Sequence, residues 1–198
     1  MADLYLIVGL GNPGRQYAHT RHNAGYLALD HLAARWRAGW TSEKKFKARL
    51  ARAEYLGCQV LLCEPETFMN ASGEAVGPLL AYYQVPVERM LVVVDDADLP
   101  LGELRLRPQG GTGGHHGLES VIQHLGTRNF PRLRLGIGRG ANAAREITGY
   151  VLSRFAPGEA ELLENVLARA GDQMECWLRD GISKAMSLFN GSVAKERQ

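Results

Sequence analysis

Apolar and polar positions along the chain follow two periods. Leu4-Tyr-Leu-Ile-Val8, Gln59-Val-Leu-Leu-Cys63 and Met90-Leu-Val-Val-Val94 are short continuous apolar runs, as expected of buried strands. Leu104-Arg-Leu-Arg107 and Arg132-Leu-Arg-Leu135 alternate apolar with basic, the period of a half-buried strand. Lys44 to Tyr55 reads as an exposed basic strand, and Pro65 ends the strand that follows it. Leu29, Leu32, Ala33 and Trp36 take helical spacing, with Asn23 as the expected N-cap. A second helix is predicted from Phe68–Asn70 through about Tyr83, with Ser72 as cap and Glu74 near its start. A short helix over 118–125 follows a glycine-rich loop. Beyond Pro157, Leu163, Val166, Leu167, Ala170, Met174 and Trp177 form a long stripe, and Ile182, Ala185, Met186 and Phe189 form a last one. Residues 192–198 are polar and are expected to fray. Strands alternating with helices predict an α/β fold. It is a single-domain sandwich over residues 1–198, with a central mixed twisted sheet flanked by helices. The hairpin-like segments 44–63 and 90–108 supply the antiparallel part.

Composition narrows the picture. At 198 residues and 45% hydrophobic, the chain can bury a sizeable core. No apolar run approaches the ~20 residues of a membrane-spanning helix. The N-terminus has no basic stretch ahead of its apolar run, so no secretory leader is read there. Three cysteines without CxxC spacing argue against a disulfide framework or a zinc site, and predict reduced thiols in the cytoplasm. Net charge is +2, but Arg105 to Arg154 holds eight arginines, no lysine and two acids. That segment is +6 and the remainder −4. A local arginine field predicts a polyanionic partner on one face.

Four segments carry candidate chemistry. Gly9-Leu-Gly-Asn-Pro-Gly14 matches the dinucleotide fingerprint, but Pro13 lacks the N–H a phosphate would need and no helix opens at Gly14. The loop instead projects Asn12 from the end of a central strand, where sites sit in open α/β sheets. His22, in Thr20-Arg-His-Asn-Ala-Gly25, suits general-base work near neutral pH. Asp95, Asp96 and Asp98 end the strongest strand. They read either as a Mg²⁺ site or as one carboxylate that orients a histidine. No serine or cysteine nucleophile motif is present, which leaves water as the attacking group. In the loop Gly110-Gly-Thr-Gly-Gly-His-His-Gly117, backbone N–H groups at a helix start suit a phosphate, and a flexible lid is the other reading. Arg105 with Arg107, and Arg132 with Arg134, share strand faces and make a phosphate-backbone track.

Together these motifs resemble the bacterial-type peptidyl-tRNA hydrolase family, from Leu6 to about Leu188. The match rests on Val8–Gly14, Tyr17 with Thr20–Gly25, Thr67–Asn70 with Ser72-Gly73, Asp95–Pro100, and the loop 110–117 followed by Arg132–Gly138. The resemblance implies hydrolysis of the ester joining a peptide to the 3′-ribose of tRNA, with no metal or cofactor. It implies that His22 activates water, Asp95 orients it and Asn12 helps place histidine and substrate. Asn70 would hold the substrate near the scissile carbonyl, with Tyr17, Phe68 and Met69 lining the cleft. The arginines 105, 107, 132 and 134 match the region that receives tRNA phosphates. The implied partner is peptidyl-tRNA, and a monomer is expected because the C-terminal stripes can pack on the body. One position departs from the pattern: His116 stands where the family usually has asparagine, in water placement or tRNA-end contact. A bulkier, titratable ring there predicts activity with an altered pH dependence below about 7. Two other functions stay open on the residues: a non-catalytic RNA-binding relative, and a metal-dependent phosphatase using Asp95, Asp96 and Asp98.

Overall fold

The computed structural model describes residues 3–139 and 147–193. One mixed sheet of eight strands runs through it in the order β2-β3-β4-β1-β5-β7-β6-β8. The strands are β1 (Leu4–Gly9), β2 (Trp40–Glu43), β3 (Ala48–Tyr55), β4 (Cys58–Pro65), β5 (Met90–Asp96), β6 (Glu103–Arg107), β7 (Arg132–Gly136) and β8 (Gly191–Ser192). The helices are α1 (Ala24–Arg35), α2 (Gly73–Tyr83), α3 (His116–Leu125), α4 (Ile147–Val151), α5 (Ala160–Asp180) and α6 (Ile182–Phe189).

The continuous apolar runs are explained by burial on both faces. Ile7, Leu62, Leu91 and Val93 pack beneath α1 and α5. Their neighbours Leu6, Val8, Leu61 and Val92 pack beneath α2 and α3. Because side chains alternate along a strand, a strand covered on both sides must be apolar at every position. No described helix is long and apolar enough to cross a membrane.

β1, β4, β5 and β7 are mutually parallel, and β1 lies between β4 and β5. Their C-terminal ends therefore open on one edge, and the order in which strands are added switches sides at β1. That edge collects the loops after β1, β4, β5 and β7.

The structure departs from the pattern in several places. Residues 90–108 are not a hairpin: β7 lies between β5 and β6, parallel to the first and antiparallel to the second. A strand from later in the chain, β7, takes the place beside β5 that β6 would occupy in a hairpin. The stretch 44–55 splits into a 3₁₀ turn at Lys44–Phe46 and strand β3, whose first half is buried against β4. A short edge strand, β2, precedes it without an apolar signal. Asn23 and Ser72 sit at helix starts but cap neither helix. The Asn23 side chain bonds to the Asn12 backbone, and Ser72 donates to the Met69 carbonyl. Ser192 does not fray, because β8 pairs with β6 and the Val193 N–H donates to the Gly102 carbonyl at 2.9 Å. Residues 194–198, and Arg145 of the arginine field, lie outside the described residues.

Candidate active site

The C-terminal edge holds a cleft of about 520 Å³. Apart from the glycine-rich loop after β6, its walls come from the loops leaving the parallel strands. Asn12 follows β1, Phe68–Asn70 follow β4, Asp95–Asp98 end β5 and Arg139 follows β7. His22 enters from the turn ahead of α1, and His115 from the glycine-rich loop.

Asn12 is locked on both sides. Its N–H donates to Asn23 Oδ1 at 2.9 Å, and its carbonyl accepts from Asn23 Nδ2 at 3.0 Å. Its side-chain oxygen accepts the Met69 N–H at 2.8 Å, which ties the β1 loop to the β4 loop. The carboxamide NH₂ is then what Asn12 has left to offer a ligand. Gly11 is required by this packing, since a Cβ there would meet the Tyr26 ring at 2.7 Å.

Asp95 is 3% exposed and accepts from two imidazoles. His22 Nδ1 lies 2.9 Å from Oδ1 and 3.1 Å from Oδ2, and His115 Nε2 lies 3.0 Å from Oδ1. Burial works to raise the Asp95 pKa, but the two rings outweigh it and hold the carboxyl at about 2. An ionised carboxylate only accepts, so each facing nitrogen carries the proton. His22 Nε2 is then the free lone pair. The His115 tautomer is set independently: its Nδ1 accepts the Leu118 N–H at 3.3 Å as the side-chain N-cap of α3.

His115 is the site residue the motifs did not single out. The family pattern points instead to its neighbour, His116. The two part company because α3 opens at His116, two residues ahead of the predicted start. His115 turns inward as the cap, and a Cβ on Gly117 would press against it at 3.0 Å and against Met69 Sδ at 2.6 Å. His116 points out on the cleft rim, 74% exposed and 3.0 Å from Glu119.

Asp95, Asp96 and Asp98 do not converge on a point. Asp96 pairs with Arg134 at 3.1 Å and takes the Asp98 N–H, while Asp98 pairs with Arg139. The three carboxylates therefore do not form the Mg²⁺ site their clustering in sequence suggested. Among the described residues, only His22, Asp95 and His115 bring three ligand-type atoms within 4.8 Å of one another. The Leu118 bond already commits the His115 proton to the nitrogen facing Asp95, so the cluster is a proton-bearing network as it stands.

Phe68 (61% exposed), Met69 and Asn70 line the cleft together with Val151 and Leu152. Tyr17 does not: it is half-buried in the turn after Gly14, its carbonyl taking the Thr20 N–H and hydroxyl.

The arginine track is also altered. β6 and β7 place Arg105 opposite Arg134 and Arg107 opposite Arg132. Like charges directly opposed are costly, and the pairs separate into surface and interior roles. Arg105 and Arg107 face solvent. Arg134 binds Asp96 and the Gly111 carbonyl. Arg132 is 1% exposed and cannot meet a phosphate. Its guanidinium donates to the carbonyls of Gly110 at 2.5 Å and Arg128 at 2.7 Å, and stacks over Phe130. It holds up the glycine-rich loop.

Comparison with known proteins follows the same residues. The family described as peptidyl-tRNA hydrolase matches residues 6–197. A peptidyl-tRNA hydrolase of Synechococcus sp. is 49% identical over 188 residues, spanning 95% of this chain and 84% of its own. That of Gloeobacter violaceus is 47% identical, spanning 95% and 94%. The crystal structure of peptidyl-tRNA hydrolase from Acinetobacter baumannii superposes with a TM-score of 0.90 at 35% identity, covering 97% of each chain.

Proposed function

The chain belongs to the peptidyl-tRNA hydrolase family, and from that premise we propose how its own residues perform the reaction. The enzyme hydrolyses peptidyl-tRNA and so recycles the tRNA. The bond broken is the ester between the peptide's carboxyl carbon and the 3′-oxygen of the terminal ribose. Water supplies the attacking oxygen. His22 Nε2 takes a proton from it as the new C–O bond forms. Asp95, fixed against Nδ1, keeps the ring in the tautomer with Nε2 free and stabilises the imidazolium that results. As the tetrahedral intermediate collapses, the ester C–O bond breaks and the imidazolium returns its proton to the leaving ribose oxygen. The NH₂ groups of Asn12 and Asn70 are the nearby donors for the carbonyl oxygen as it gains charge. Phe68 and Met69 give the acyl end an apolar wall, and His116 meets the tRNA end at the rim. Arg105 and Arg107 receive backbone phosphates directly, and Arg134 from the loop's edge.

The observation that carries this reading is the His22–Asp95 contact at 2.9 Å, opening onto the cleft. The test is release of a labelled N-acyl-aminoacyl group from tRNA by the wild type and by His22→Ala. Turnover is expected to fall ~10²–10⁴-fold with tRNA affinity largely retained. A variant keeping more than a few per cent of the rate removes His22 as the base.

The same proposal takes residues 1–198 as one hydrolase domain, acting as a monomer in the cytoplasm, where its substrate arises. Cys58, Cys63 and Cys176 are free, as that compartment requires. Light scattering at micromolar concentration tests the monomer.

A further inference from the structure

The residue before His22 is buried, charged and not part of the cleft. Arg21 is 6% exposed and reaches away from the cleft toward the chain after α4. Its Nη2 donates to Glu159 at 2.6 Å and its Nη1 to the Ile137 carbonyl at 3.3 Å, at the exit of β7. The guanidinium carbon lies 4.8 Å from the Tyr150 ring centroid and 4.9 Å from that of Phe155. Tyr150 donates its hydroxyl to the same Ile137 carbonyl at 2.8 Å. The backbones join as well: the Arg21 N–H donates to the Ser153 carbonyl at 2.9 Å, and Thr20 bridges Arg154. The same Glu159 oxygen also accepts the Ala156 N–H at 2.6 Å.

Three pieces therefore meet at one guanidinium: the turn carrying His22, the end of β7 and the segment 150–159. That segment supplies Val151 and Leu152, the apolar cleft wall on the His22 side. A planar cation with rings on its faces and acceptors on its edge fixes direction as well as distance, which a lysine cannot do.

We infer that Arg21 is a positioning residue for the hydrolysis, setting His22 and the Val151–Leu152 wall in register with each other. The inference rests on His22 being the base. Arg21 touches neither substrate nor the reacting atoms. Its loss should misplace the imidazole and let the wall recede, which moves kcat and KM together.

The test compares wild type, Arg21→Lys and Arg21→Met on N-acyl-aminoacyl-tRNA, well below each variant's melting temperature. A second readout is the NMR signal of the His22 Nδ1 proton. Arg21→Met is expected to lose at least tenfold in kcat and to raise KM severalfold, with that signal broadened by exchange. Arg21→Lys should fall between the two. If Arg21→Met does not fold, Tyr150→Leu removes one ring and one bond to Ile137, and a three- to tenfold loss in kcat/KM is expected. Wild-type kcat and an unchanged proton signal in a folded Arg21→Met or Tyr150→Leu enzyme overturn the inference. So does a rate loss that only tracks the unfolded fraction. Failure of the His22 reading is distinguishable: His22→Ala then stays active, whereas failure of Arg21 alone leaves His22→Ala inactive beside a normal Arg21→Met.

Discussion

Replacing Asp95 by asparagine keeps the size of the side chain and removes its charge. In the wild type, Oδ1 serves both His22 at 2.9 Å and His115 at 3.0 Å, while Oδ2 sits 3.1 Å from His22. An asparagine oxygen at the Oδ1 position accepts both N–H groups. Its NH₂ at the Oδ2 position then opposes the proton on His22 Nδ1. Relief comes if the ring moves away or adopts the other tautomer, and in that tautomer Nε2 is protonated and is no base. The carboxylate is also gone as the partner of the imidazolium. Its pKa of about 2, against an ordinary 3.8, is the net of what both rings contribute and what burial takes away. The difference is about 2 kcal/mol at 1.36 kcal/mol per unit. Tautomer and charge together place the expected loss in kcat at ~10²–10⁴-fold, with the Kd for tRNA within about twofold. Single-turnover release of a labelled N-acyl group measures the first and filter binding the second. A kcat within tenfold of wild type refutes the reasoning. Stability gives an independent check. The folded pKa is depressed, so Asp95 stabilises fully above about 4, and the contribution is lost as pH falls toward 2. The melting gap between wild type and Asp95→Asn should therefore narrow on acidification.

Three further outcomes follow. Glu64 is wholly buried, with neither carboxyl oxygen in a hydrogen bond and Arg49 3.4 Å away, and burial raises its pKa to about 8. A raised folded pKa means its favourable neutral form is lost as pH climbs from 4.5 to 8, at a cost on the order of 5 kcal/mol above pH 8. Glu64→Gln should accordingly melt higher than wild type at pH 9 and gain much less at pH 5; a gain independent of pH refutes this. Arg105→Ala and Arg107→Ala should each raise KM and lower the salt slope of tRNA binding by about 1, with kcat unchanged. An unchanged slope removes them from the docking face. Arg132→Met should leave the loop carbonyls unpaired and lower stability by ~1–3 kcal/mol. Wild-type melting would mean the guanidinium does not hold the loop.

The chain's local chemistry determined much of this protein. Continuous apolar runs at Leu6–Val8, Leu61–Cys63 and Met90–Val94 already require strands covered on both faces. The breaks after them, at Gly9–Gly14, Thr67–Asn70 and Asp95–Asp98, supply about half of the residues that line the cleft. Those features were legible because period and turn chemistry act within a few residues. Other features depend on partners far along the chain. β7 enters between β5 and β6 although some 25 residues separate it from the nearer of them, so the apparent hairpin dissolves. Arg132 and Arg134 look identical in an alternating strand. The glycine-rich loop and the segment just ahead of β7 fold around Arg132 and together supply the carbonyls that let a guanidinium be buried there. His115 and His116 are adjacent and alike, and the first turn of α3 sends one to Asp95 and the other to solvent, because successive helical residues point about 100° apart. Sequence therefore decided which segments carry the chemistry. Tertiary structure decided which of two like neighbours does, since a buried polar group persists only where the fold supplies its partners.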